Sequence, residues 1–113
     1  MRKKGIRKNV KWDNPKSVVA YGHSVSKHGS KRKTQQFIDR ARSTGNDQGQ
    51  WIDDMFIVEA QKLAPSKPGS HVVEMDKPIG RIFCPDGSVI ENVKKAIVVR
   101  KSNLTVRTSY PIR

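Results

Sequence analysis

Apolar positions change their spacing near the middle of the chain. From Lys31 to Ser43, Thr34, Phe37, Ile38 and Ala41 recur at helical intervals while Lys33, Gln36 and Arg40 stay polar, which predicts a helix ended by Gly45. Asp47, followed three positions later by Gln50, has the form of an N-terminal capping box. A second helix is therefore predicted over Gly49–Leu63, with Trp51, Ile52, Met55, Phe56, Ala60 and Leu63 as its core stripe. Beyond the turn-rich Pro65–Gly69 the pattern becomes that of strands. The candidates are His71–Met75, Gly80–Cys84, Ser88–Glu91, Lys95–Arg100 and Leu104–Tyr110, with hairpin turns at Pro85-Asp86-Gly87 and Lys101-Ser102-Asn103. Helices followed by strands predict an α+β fold, with N-terminal helices packed on a four- to five-stranded antiparallel sheet.

Upstream, Val18-Val19-Ala20-Tyr21 is a short apolar run fit to anchor on the core. Residues 1–17 read as a basic arm or linker remnant, with Arg2, Lys3, Lys4, Arg7, Lys8, Lys11 and Lys16 against the single acid Asp13; Ile6, Val10 and Trp12 offer points of docking. At 113 residues the chain makes one small domain, assigned to 18–113.

Charge changes the picture more than length does. Twenty-three Lys and Arg against ten Asp and Glu give a net charge of +13, a field that attracts polyanions, so nucleic acid or an acidic protein is the expected partner. No apolar run is long enough to span a bilayer, so stable membrane insertion is not expected. One cysteine, Cys84, excludes an intramolecular disulfide.

Candidate chemistry gathers at two places. Gly22-His23-Ser24-Val25-Ser26-Lys27-His28-Gly29 holds two of the three histidines, side chains able to act as general base and acid near neutral pH. His23 and His28 can face one site only if this stretch bends; otherwise it is a solvated polar loop. In the last strand, strict alternation puts Leu104, Val106, Thr108 and Tyr110 on one face, which begins apolar and ends in two hydroxyls able to form the floor of a cleft. The competing reading is that these are ordinary strand residues. His23, His28, His71 and Cys84 have no zinc-like spacing, and no cofactor is expected.

Gly22-His23, His28-Gly29, Arg40 in the following helix, the Ile79-Gly80 step and the closing Thr108-Ser109-Tyr110-Pro111 together resemble the C-terminal ribonuclease domains of bacterial polymorphic toxins. These include contact-dependent growth inhibition toxins; the pattern is similar to their ribonuclease-A-like branch and to the barnase, EndoU, colicin and RelE-type enzymes. The resemblance implies a catalytic His28 with His23 beside it, a phosphate-binding Arg40 (or Arg42), and Thr108 and Tyr110 lining the site. It implies metal-independent cleavage of RNA, with transfer RNA preferred, through attack of the 2′-hydroxyl to give a 2′,3′-cyclic phosphate; Tyr110 and His23 both remain open as the second proton carrier. It also implies delivery from a secreted or surface-exposed toxin into a target-cell cytoplasm, and a cognate acidic immunity protein. The alternatives are a non-catalytic, ribosome-associated RNA-binding module, which explains the charge alone, and a DNA-cleaving toxin, which would call for a metal site.

Overall fold

A computed structural model describes residues 10–113; the predicted contacts of residues 1–9 lie outside the described residues. The elements are α1 (Val18–Tyr21), α2 (Ser24–His28), α3 (Thr34–Thr44), β1 (Gln48–Trp51), α4 (Met55–Leu63), β2 (Gly69–Glu74), β3 (Gly80–Phe83), β4 (Val89–Val93), β5 (Lys95–Arg100) and β6 (Val106–Ile112). The fold is α+β, as the periodicity predicts. Its strands, however, form two antiparallel sheets of three, ordered β1-β3-β4 and β2-β5-β6, rather than one sheet of four or five.

The extra strand comes from the segment expected to open the second helix. Gln48–Trp51 pairs with Gly80–Phe83, and Ile52 N–H continues the ladder by donating to the Ile79 carbonyl at 3.0 Å. No capping box forms, because the Asp47 carboxylate is taken by Arg113 at 2.6 and 2.9 Å. Tertiary pairing thus overrides a local helix signal. The helix begins only at Met55, and of the predicted stripe Ile52, Met55 and Leu63 are exposed while Trp51 and Ala60 are fully buried. Trp51 sits in the main core with Ile57, Ala96, Val98 and Val106, and its indole N–H donates to the Ser109 carbonyl at 3.1 Å.

The helix at Thr34–Thr44 ends as predicted. Gly45 takes the left-handed conformation, φ 70°, and its N–H bonds to the Ala41 carbonyl at 2.9 Å. This helix lays Phe37 on Phe83 of β3, ring centroids 5.3 Å apart. The apolar run Val18–Tyr21 is a single helical turn that buries Ala20 and Tyr21. Trp12 packs edge-on against Tyr21 at 5.6 Å, so the arm is anchored to the core at this point.

Two details bring the sheets together. Pro111 of β6 lies against Gly49 and Gly80: a Cβ on Gly49 would stand 2.1 Å from the Pro111 carbonyl oxygen, and one on Gly80 would stand 2.3 Å from the Pro111 ring. Second, β6 carries a bulge. Arg100 pairs with Val106 but Val99 pairs with Thr108, leaving Arg107 as the extra residue. The bulge overturns the predicted face: Val106 points into the core, whereas Thr108 and Tyr110 share the opposite face, and Ser109 and Pro111 turn inward.

Gly49→Ala is expected to destabilise the protein by about 3 kcal/mol, through overpacking against backbone that has little room to move. Gly45→Ala, with open space around its Cβ, is expected to cost only about 1 kcal/mol for its left-handed backbone. Urea unfolding of the two variants checks the order, and an equal loss would contradict the sheet contact.

Candidate functional site

Three consecutive residues of β1 each hold a different part of the candidate site. The Gln48 side-chain oxygen accepts from Arg40 Nη1 at 3.3 Å, the Gly49 carbonyl bonds His28 Nδ1 at 2.8 Å, and Gln50 Nε2 lies 3.1 to 3.4 Å from the carbonyls of Gly29, Ser30 and Arg32. Alternation along the strand explains the division of labour. Gln48 and Gln50 point to one face, toward α2, α3 and their connection, while Gly49 presents no side chain on the other, where Pro111 approaches.

His28 closes α2 and is 8% exposed. A carbonyl oxygen can only accept, so Nδ1 carries the proton in this bond and neutral His28 presents Nε2 as a lone pair. Among the described residues Nε2 has no hydrogen-bond partner, and it is not sealed from solvent. The ring lies against Tyr110, centroids 4.8 Å apart and tilted by 36°. Burial lowers the imidazole pKa to about 4; the Gly49 bond opposes this, while the positive charges of Arg40 and Lys27 add to it. At neutral pH His28 is therefore an uncharged base.

Arg40 is held beside this ring. Its Nη1 also donates to the carbonyl of Lys27, the residue before His28, at 3.1 Å. Arg42 is exposed, and its side chain makes no hydrogen bond among the described residues. Thr108 stands two positions before Tyr110 on the same face of β6, and its hydroxyl oxygen is buried with no hydrogen-bond partner. An unpaired buried hydroxyl costs about 1–3 kcal/mol, and this one is sealed from solvent.

His23 is not brought to this group. It is exposed at the opposite end of α2, its Nδ1 3.4 Å from Ser26 Oγ and its backbone N–H bonded to the Arg107 carbonyl at 2.9 Å. The bend that would let both histidines share one site is absent: α2 runs between them. Its seat on β6 is completed by Ser24 Oγ, which accepts from Ser109 Oγ at 2.8 Å.

Sequence reasoning missed Gln48, Gly49, Gln50 and Ser109, whose part is to place the reactive groups. The one available signal was the alternation in Gln48-Gly49-Gln50-Trp51, polar and apolar by turns in the manner of a strand, which the capping pattern of Asp47 and Gln50 masked. Two hollows lie elsewhere: one of about 350 Å³ is lined in part by Met75, Val93 and Ile112, another of about 450 Å³ by Glu59, Leu63 and Met75, and neither includes His28.

No protein-family model matches the chain, no curated protein matches it, and no solved structure matches its fold.

The lowered His28 pKa makes stability depend on pH with a definite sign. The unfolded imidazole titrates near 6.5 and the folded one at about 4, so between these values the unfolded chain binds more protons and stability falls as pH falls. The loss across that window is expected to reach about 3 kcal/mol. Urea unfolding at pH 7 and pH 4 should show this component in the native protein and its removal in His28→Asn; an identical pH dependence in the two would contradict a buried neutral imidazole.

Proposed function

We propose that this protein is a metal-independent endoribonuclease of the toxin type, acting on RNA and preferentially on transfer RNA. The observation that carries the reading is the meeting of His28, near one end of the chain, with Tyr110, near the other, at 4.8 Å. The Gly49 carbonyl fixes the tautomer of His28, and the unpartnered Thr108 hydroxyl lies on the Tyr110 face. A strongly basic chain supplies the attraction for a polyanion.

In this mechanism His28 Nε2 takes the proton of the ribose 2′-hydroxyl as its oxygen attacks the adjacent phosphorus. The P–O5′ bond breaks, the leaving 5′-oxygen takes a proton from the Tyr110 hydroxyl, and the products are a 2′,3′-cyclic phosphate and a free 5′-hydroxyl. Protonated His28 then returns its proton through water to the Tyr110 phenolate. Arg40, charged throughout and able to bind two oxygens, stabilises the phosphorane. The substrate phosphate also raises the pKa of the neighbouring imidazole toward neutrality, since an anion favours the protonated form. His23 has no part in this scheme; Tyr110 is taken as the second proton carrier because its ring lies against that of His28, whereas His23 is exposed at the other end of α2.

The toxin reading includes a cognate acidic immunity protein covering the His28 and Tyr110 surface, and delivery of the domain into a target-cell cytoplasm. It rests on the motif resemblance and on charge complementarity. Among the described residues no helix is long and apolar enough to cross a membrane.

Purified protein incubated with total bacterial RNA in excess chelator is expected to give discrete fragments ending in cyclic phosphate. His28→Ala is expected to lower the rate by about 10²–10⁴-fold, the usual contribution of a general base. Tyr110→Phe, which keeps the ring against His28, is expected to lose about 10²-fold through the missing proton donor. RNA left intact but retarded by the native protein in a salt-sensitive manner would overturn the enzymatic reading in favour of a binding module.

A further inference from the structure

The geometry points to a second binding site on the loop between α2 and α3: Lys31, Arg32 and Lys33 form a fixed phosphate track that carries the RNA strand past His28. It rests on the ribonuclease reading for the identity of the strand, and on three structural observations for the track itself.

First, positive charge is concentrated here and left without acidic partners. Between Lys27 and Arg42 there are six Lys and Arg and one acid, Asp39. The ion pairs among the described residues join Lys77 to Glu59, Arg81 to Glu91, Lys95 to Glu74 and Arg113 to Asp47. None uses a cation of this segment, although Lys31, Arg32 and Lys33 are all exposed.

Second, the loop is held in shape. The buried Gln50 amide gathers the Gly29, Ser30 and Arg32 carbonyls, Ser30 N–H donates to Asp54 Oδ1 at 2.8 Å, and Arg32 N–H donates to the Gly29 carbonyl at 3.2 Å. The effect is electrostatic as well as mechanical: three carbonyl oxygens that would repel a phosphate are turned inward, and the side chains left outside are cations. Gln50 is thus a positioning residue for the track.

Third, the track starts where the reactive group ends. Gly29 follows His28 directly, and at 3.8 Å per residue the Cα of Arg32 lies within about 15 Å of that of His28 along any path of the chain. A strand whose scissile phosphate sits at His28 therefore has its neighbouring phosphates within reach of the long Lys and Arg side chains. A ligand ending at the scissile bond would have no use for them.

The test measures affinity for a single-stranded 2′-O-methyl oligonucleotide, which has no 2′-hydroxyl to attack and so reports binding whether or not the protein cleaves RNA. For a single strand, log affinity falls with log salt with a slope of about −0.7 per phosphate neutralised. The triple variant Lys31→Ser, Arg32→Ser, Lys33→Ser is expected to reduce the steepness of that slope by about 2, and Arg32→Ser alone by about 0.7. A control triple variant at exposed positions remote in sequence, Lys62→Ser, Lys67→Ser, Lys94→Ser, is expected to leave the slope within about 0.7 of its native value. An unchanged slope in the loop variant would overturn the track and leave the cations to another partner, such as an acidic protein. An equal fall in the control would overturn it too, by showing that net charge alone sets affinity. Failure of the native protein to cleave ordinary RNA would instead remove the ribonuclease reading while the slopes still decide the track.

Discussion

The structure depends on the contact between two stretches of backbone, β1 at Gly49 and β6 at Pro111. A methyl group on Gly49 would lie 2.1 Å from the Pro111 carbonyl oxygen, so the two sheets meet at a separation that only a missing side chain allows. Gly80, the partner of Trp51 on β3, makes the matching approach to the Pro111 ring. Trp51 seals the junction with its bond to the Ser109 carbonyl. Because the interior is close-packed, displacement at this crossing has nowhere to dissipate and must pass to whatever the two strands carry.

What they carry is the candidate site. On one side, β1 holds Arg40, His28 and the basic loop through Gln48, Gly49 and Gln50. On the other, β6 presents Thr108 and Tyr110, on the outer face because the bulge at Arg107 turned them there. Arg100 is buried at the position where the register shifts. Its guanidinium donates to the carbonyls of Gln61, Ala64, Pro65 and Leu104, which fastens the end of α4 to the start of the β6 hairpin. A buried cation satisfied by carbonyl dipoles instead of a carboxylate is costly to remove, since several acceptors would lose their donor together. The strand geometry that exposes Tyr110 is thus supported from two directions, by packing at Pro111 and by hydrogen bonds at Arg100.

Much of the fold was legible in the sequence because it rests on local signals. Helical spacing from Thr34 to Ala41, the stop at Gly45 and the strand Lys95–Arg100 depend on periodicity and on one glycine conformation, and these survive folding unchanged. The strand Gln48–Trp51 was hidden because a capping pattern and an apolar stripe both favoured helix; only the distant partner Gly80–Phe83 and the capture of Asp47 by the C-terminal Arg113 decide otherwise. The same limit applies to the site. His28 and Tyr110 stand out by residue type, and their rings do meet. The separation of His23 by the length of α2, and the bulge that reverses the face of Thr108 and Tyr110, depend on pairings that no short window contains.

The Gly49 carbonyl of β1 holds His28 as a neutral imidazole with its proton on Nδ1, and the proposed chemistry needs Nε2 free to take a proton. Nitrogen-15 NMR of the histidine side chains tests it most directly, by following the His28 imidazole through a pH titration with and without a nucleoside 2′,3′-cyclic phosphate. The expected result is the Nδ1–H tautomer at pH 7, a pKa of about 4 in the free protein, and a shift toward neutral pH when the cyclic phosphate binds. An Nε2–H tautomer, or a His28 titration that the cyclic phosphate does not move, would contradict it.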